Sequence, residues 1–455
     1  MMTRLRPAIA PAYLFLCLVL GGSAQGVWAN AFLRLAAILI IAWALIEQRE
    51  EPVGRGVREL LTIIGLAIAL PLLYLIPLPA ALWTMLPGRE IVVNGFELLG
   101  LKPGAMPVSL APYDSISTLL ALLPPLGMLA AMIGKHSYSR GWLAVALIGG
   151  TVAGVLLGIM QVSSANPLAS PWYLYPSSNF GAATGFFANS NHMASLLLVT
   201  IPFIVALGAT VRERPKDLNL RSAAMALTGG GLVLVILGLI LNGSLAGFGL
   251  GVPVVLASLL MLWKPKMRFA GGAALAIGLG SLVALAMLWT SPVGGKLGGV
   301  SAETSVSSRQ VILSKSVGLI DAFGPVGSGL GTFQKVYPLQ EDPAAVDRWY
   351  VNHAHNDYLE LAIETGLPGI LLMMLFLGWW VISVRRLLAS PAADYYAIAG
   401  AIGSAAVLLH SLVDYPLRTA AIGAVFAMCL VLVLQSRRSA VSETDLRTVR
   451  HLSVG

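Results

Sequence analysis

The chain has 455 residues, 57% of them hydrophobic and only 11% charged, where a soluble globular protein carries roughly a quarter charged residues. That excludes a water-soluble fold. The net charge of +8 lies in short scattered clusters, not in the basic stripe with interleaved aromatics that would mark nucleic acid as a partner. Many apolar runs approach the ~20 helical residues a bilayer core requires, and they are continuous rather than alternating. The fold class they imply is all-α, a polytopic membrane protein with about twelve transmembrane helices.

From the amino terminus, Arg4 and Arg6 precede an apolar stretch that ends in Gly22, Ser23 and Ala24, as in a signal peptide. A second apolar run follows at once, so an uncleaved first helix forming a hairpin with the second is expected. Further spans are expected near 57–77, 115–134, 141–161, 191–210, 222–241, 247–263, 270–289, 367–384, 395–412 and 417–435. Cys17 and Cys429 fall inside apolar runs, where a thiol behaves as a small hydrophobe. The clusters at 212–221 and 264–268, with Arg4, Arg6, Arg49, Arg55, Arg58, Lys135, Arg140, Arg385, Arg386, Arg437, Arg438, Arg447 and Arg450, put 20 of the 29 Lys and Arg on one side. By the positive-inside rule that side is cytoplasmic, as are both termini.

This leaves 78–114, 162–190 and 290–366 outside. The last is long enough to be functional, and Phe323, Phe333, Tyr337, Trp349, Tyr350 and Tyr358 give it apolar anchors that a disordered segment lacks. The chain therefore reads as a single membrane domain, 1–455, with a structured outer loop at 290–366.

Polar clusters sit at the outer ends. In the first, Thr184 to His192, capping accounts for Asn189 or Ser190 but not for Asn189, Asn191 and His192 together. The second holds Ser308-Arg309 and Lys315, then Asp321 to Phe333, whose closely spaced glycines permit close backbone approach to a ligand. It lacks the Lys and Ser/Thr that complete a phosphate-binding loop. The third is the densest: Asn352-His353-Ala354-His355-Asn356-Asp357-Tyr358-Leu359-Glu360, followed by Glu364-Thr365-Gly366-Leu367-Pro368-Gly369.

Here Asp357 followed by Glu360 reads as a helix start, and Gly366 with Pro368 as its end. Glu360 and Glu364 share one face, which calls for a facing cation or a hydroxyl-rich ligand. His353, His355 and Asp357 are metal-ligand types, but no further ligand follows at characteristic spacing. A plain capping loop is the simpler alternative. Finally His410, Asp414 and Arg418 are spaced at i,i+4, so they would face either a cavity or one another, with an Asp414–Arg418 pair as the plain outcome.

These segments resemble the O-antigen ligase and polymerase superfamily of bacterial membrane glycan transferases. His353-Ala354-His355-Asn356 through Gly369 is similar to its His-x-His-Asn and Glu-x-Gly-x-x-Gly hallmark. Ser308-Arg309 with Gly327 to Phe333 is similar to its second motif, and Gly185 to Asn191 to its third. One departure is Ser244-Leu245-Ala246-Gly247, where relatives often have Ser-Arg-Gly.

The resemblance implies a GT-C-like glycosyltransferase of the bacterial inner membrane. It would move a glycan from an undecaprenyl-diphosphate carrier to an acceptor hydroxyl on the periplasmic side, without cofactor, nucleotide sugar or metal. The acceptor would be another glycan, lipid A core or a protein, and membrane lipids would surround the chain. The altered Ser-Leu-Ala site tilts the reading toward polymerase or exopolysaccharide-type transfer.

In this scheme Arg309 grips the diphosphate, because a guanidinium bonds phosphate at two points. His355 is the base, kept neutral by the dipole of the helix it precedes. The candidate substrate-binding residues are His353, Asn356, Glu360, Glu364, Lys315, Arg348, Asn189, Asn191, His410 and Asp414. A lipid-linked oligosaccharide flippase is the alternative of a different class, but transporters keep their polar groups near the bilayer midplane.

Overall fold

The structure, a computed structural model, describes residues 2–47, 53–133, 138–213, 218–262, 300–343, 350–391 and 393–435. The expected span 270–289, the basic loop 264–268, Lys216, Arg348 and Trp349 lie outside the described residues.

What is described is almost wholly helical. The first half contains α1 (Met2–Leu20), α2 (Val27–Ile46), α3 (Arg55–Tyr74), α4 (Ala80–Trp83), α5 (Glu90–Leu98), α6 (Pro112–Ala121), α7 (Leu123–Ile133), α8 (Arg140–Val162) and α9 (Ser190–Arg212). The second contains α10 (Leu218–Asn242), α11 (Leu245–Leu260), α12 (Val300–Phe323), α13 (Phe333–Val336), α14 (Asp357–Leu388), α15 (Tyr395–His410) and α16 (Ala420–Leu434). Among the described residues seven stretches are long and apolar enough to cross a membrane, and α1, α11, α15 and α16 hold shorter apolar runs. α6 and α7 form one such stretch, bent at Leu122 where Pro124 and Pro125 follow, since a proline ring removes a donor and clashes with the preceding turn.

Burial sorts these helices. α9 is covered on nearly every face and packs against α8, α10, α11 and α15, so it is the centre of the bundle. α16 is likewise buried and lies against α1, α7 and α15. By contrast Leu35 and Leu39 of α2, and Leu371, Met374 and Leu375 of α14, remain exposed. Stripes of this kind drive association in water. Here they mark the faces that meet lipid.

The bundle has two chemically different ends. At one, Arg6 pairs with Glu47 at 2.8 Å, tying the ends of the expected α1–α2 hairpin. At the same end Arg140 pairs with Asp394 and donates to the Gln435 carbonyl, and Tyr395 donates to Glu213. The opposite end gathers the starts of α9, α11, α14 and α16 and the last turns of α10 and α15. All the polar clusters singled out above, except the basic ones, meet there.

The segment expected as an outer loop at 290–366 is partly regular. α12 occupies 24 of its residues, because Ile312, Ser316, Leu319 and Phe323 recur at helical spacing and are all buried. They form a second small core with Phe333, Val336, Tyr337, Ala354 and Ile363. Tyr350, expected as an anchor, is instead exposed.

The glycine-rich turn after α12 also departs from expectation, because its close approach is to protein. Gly329 has φ +112, and a Cβ there would stand 2.4 Å from the Ser109 hydroxyl. Ser328 and Gly329 donate their N–H groups to the carbonyls of Ile363 and Glu364, at 3.1 and 2.8 Å. Those carbonyls need outside donors because α14 breaks at Gly366, whose φ of 60 and ψ of −153 are not helical. The fully buried Arg89 seals this joint by donating to the carbonyls of Pro87, Val108 and Gly327. Burial brings its guanidinium down to about 10, opposed by Tyr74 and Glu90, so it stays cationic at neutral pH.

Candidate functional site

Residues 352–355 lead into the start of α14 with neither helix nor strand. The cap of that helix is Asn356, not Asp357: its side-chain oxygen accepts from the N–H groups of Tyr358 and Leu359, both at 3.0 Å. Its amide donates to the Leu412 carbonyl at 2.8 Å. Asp357 is thereby free to turn outward, accepting from Ser411 Oγ at 2.8 Å and from the Leu417 N–H. His355, just before the cap, has φ 49, a left-handed conformation that costs a side-chain-bearing residue energy and occurs where the surroundings enforce it.

Its ring reaches Asp414. His355 Nδ1 lies 3.2 Å from Asp414 Oδ1. Asp414 is fully buried, and burial alone would raise its carboxyl. The His355 N–H and the fields of His355, His192 and Arg309 outweigh that and hold the carboxyl well below its usual range. The carboxylate is therefore the ionised acceptor and Nδ1 the donor, which leaves Nε2 as the basic nitrogen. The helix dipole thus acts on a ring whose partner is an anion.

The expected Asp414–Arg418 pair does not form. α15 stops at His410, and a turn followed by a short 3-10 helix over Pro416–Arg418 swings the two side chains apart. Arg418 goes instead to α14: Nη2 is 3.3 Å from Glu360 and 3.2 Å from Glu364, and Nε is 3.6 Å from Asp357. It is the cation that the Glu360/Glu364 face requires. Glu360 also accepts from His353 Nδ1 at 2.8 Å and from the Ala354 N–H at 2.9 Å.

Two histidine–carboxylate pairs therefore stand side by side, His355 with Asp414 and His353 with Glu360. Both rings contact Tyr415, at centroid distances of 5.1 and 4.1 Å. Tyr415 Oη accepts from Asn352 at 3.1 Å and Asn189 at 3.5 Å. Burial, with the Asp414 carboxylate second, pushes its phenol up, so it stays protonated. His353, His355 and Asn352 keep partial exposure while their carboxylate partners are buried.

Arg309, on α12, continues the row of Ile312 and Ser316, forms no ion pair with any described residue, and acts electrostatically on Asp414. Lys315 lies roughly a third of a turn away around the same helix, so it is not on that face. Asn189 caps α9 through its side-chain oxygen and turns its amide toward Asp414 and Tyr415. Asn191 accepts from Ser244 at 2.7 Å, tying α9 to α11 across the Ser-Leu-Ala-Gly step. His410 is fully buried, with Nδ1 on Ser195 Oγ at 2.8 Å.

Residues 230–374 match the family described as O-antigen ligase. That stretch is similar to the domain of the O-antigen ligase/polymerase superfamily. No curated protein matches the chain. The O-antigen ligase match contains Arg309, the glycine-rich joint, His353 and His355, but it ends before Asp414, Tyr415 and Arg418 and begins after Asn189. His353 thus finds its carboxylate, Glu360, inside the match, whereas the carboxylate of His355, Asp414, and the ring of Tyr415 are supplied from outside it. The i,i+4 spacing of His410, Asp414 and Arg418 points to that segment, but Tyr415 carries no signal of its own. Polysaccharide ligation or polymerisation at a membrane is what this family does in general.

Proposed function

We propose that this protein transfers a glycan from an undecaprenyl-diphosphate carrier to an acceptor hydroxyl at the periplasmic face of the bacterial inner membrane. It does so as a metal-independent, inverting O-antigen ligase or polymerase. The observation that carries the reading is the contact between His355 Nδ1 and Asp414. A carboxylate on Nδ1 orients the ring and stabilises the imidazolium that forms once Nε2 has taken the acceptor's proton. The diphosphate is already a good leaving group, so the remaining need is fixed positive charge where its anion develops. Arg309, which forms no ion pair with a described residue and acts electrostatically on Asp414, meets that need. Attack from the face opposite the departing diphosphate inverts the anomeric centre.

Two further features support a lipid-borne substrate. An apolar groove of about 270 Å³ runs between α3 and α14, past Ala67, Leu361, Leu372 and Phe376, and ends at Asp357 and Ser411. Its apolar lining suits a hydrocarbon chain. Of the half-buried side chains around the dyads, His353 and Asn352 meet sugar while His355 acts on the acceptor hydroxyl, and Asn356, Glu360, Glu364, Asn191 and His410 hold the frame. The reading includes about twelve spans, with the termini, 212–221 and 264–268 cytoplasmic and 290–366 periplasmic. Cysteine labelling of intact cells at 340 but not at 216 tests that orientation.

The chemistry is tested with purified protein, lipid-linked donor and excess chelator. Transfer persists in EDTA and is abolished by His355→Ala. Loss in EDTA with recovery on adding a divalent ion would replace the dyad mechanism by metal chemistry. Deleting the gene separates the two acceptor classes: unpolymerised repeats mark a polymerase, unattached long chains a ligase acting on lipid A core or protein.

A further inference from the structure

Tyr415 contacts three of the site's histidines and two of its asparagines. It is a buried phenol inserted from the turn after α15. Its ring meets His353 at 4.1 Å and 36°, His355 at 5.1 Å and 66°, and His192 at 4.9 Å and 85°. Three imidazoles from two distant segments thus converge on one ring, and edge and tilted contacts of this kind are directional. The oxygen is held as well, by Asn352 and Asn189. Asn189 cannot have turned over: its Oδ1 accepts the Asn191 N–H at 2.8 Å, so its Nδ2 is the group that points to Tyr415 Oη and to Asp414 Oδ2, each at 3.5 Å.

This arrangement joins the segments 189–192, 352–355 and 414–415 into one unit. Asp414 alone could not fix the catalytic ring. A single 3.2 Å hydrogen bond leaves an imidazole free to pivot about it, and His355 sits on a backbone of unfavourable φ that has to be held in place. An aromatic wall behind the ring removes that pivot. The same ring also meets His353, so it fixes where the second imidazole stands relative to the first.

We propose that Tyr415 is a positioning residue for glycan transfer, setting the location and angle of His355 and His353 through its ring and of Asn189 and Asn352 through its hydroxyl. This rests on the assignment of His355 as the base. Because a misplacement of about 1 Å in a reacting group costs about 10²-fold in rate, the role shows in kcat rather than in donor affinity.

The test is steady-state transfer by purified full-length protein with lipid-linked donor, comparing Tyr415→Phe, Tyr415→Leu and His355→Ala with the parent. Tyr415→Phe keeps the wall and loses the hydroxyl with the hydrogen bonds from Asn352 and the longer one from Asn189, and kcat falls about 5- to 10-fold at unchanged KM. Tyr415→Leu loses the wall, and kcat falls about 10²-fold with KM within about threefold of the parent. If the leucine variant does not insert, the phenylalanine variant decides by itself. Parental kcat in Tyr415→Phe, or a loss confined to KM in either variant, overturns the positioning role. Full activity in His355→Ala would instead overturn the assignment of the base, which the Tyr415 variants alone cannot do.

Discussion

His355 and Asp414 are 59 positions apart in the chain, yet Nδ1 of one lies 3.2 Å from Oδ1 of the other. The contact fixes which imidazole nitrogen is basic. Asp414→Asn keeps the shape but can present an N–H where the carboxylate oxygen stood, which favours the wrong tautomer. We expect kcat to fall about 10²- to 10⁴-fold, with expression and membrane insertion unchanged, as read by transfer assays on purified protein.

The depressed Asp414 carboxyl has a pH consequence of definite sign. A carboxyl held below its unfolded value contributes stability that is present above that value, near ~3.9, and is lost as pH falls through the lower folded value. The gap in melting temperature between parent and Asp414→Asn should therefore persist from about pH 8 to about pH 5 and close only in stronger acid. Differential scanning in detergent measures it. A gap that disappears near neutral pH would mean the carboxyl is not held ionised.

Arg309 forms no ion pair with a described residue and stands on the face of α12 that continues toward the site. If it grips the diphosphate at two points, Arg309→Lys should lose most transfer although the charge is kept, since an ammonium cannot reproduce the planar fork. We expect kcat/KM to drop at least about tenfold, an amount set by the loss of one charge-assisted bond. Near-parental transfer would restrict Arg309 to a long-range electrostatic role.

Arg418 is the cation to which Asp357, Glu360 and Glu364 all turn. Removing one member of a buried charge network leaves the others unpaired, at a cost of about 3–5 kcal/mol. Arg418→Met should accordingly destabilise the protein strongly in thermal or denaturant unfolding. Adding Glu364→Gln to that variant should recover part of the loss, because one stranded carboxylate is then neutral. Absence of any recovery would show that Glu364 is already protonated in the parent.

The membrane fold, the helical class and the motif segments were legible in the sequence because each depends on local information. An apolar run declares a span by its length. The Ser, Asn and Gly residues around 185–191 and 352–369 declare turns and caps by their own backbone chemistry. Even the demand for a cation opposite Glu360 and Glu364 followed from helical spacing alone. The sequence could not say which cation answers, because spacing along one helix is blind to what a different segment brings. The i,i+4 interval from Asp414 to Arg418 predicted a pair on the premise that α15 continues, and it ends at His410. The bundle's packing then sent Asp414 to His355 and Arg418 to α14, and put Tyr415 between two histidines sixty residues upstream. The glycines after α12 were visible as backbone freedom, but only tertiary structure decided that the freedom serves a protein joint at Gly366. Contacts between segments so far apart are fixed by how the bundle buries its apolar faces, and no window along the chain contains that information.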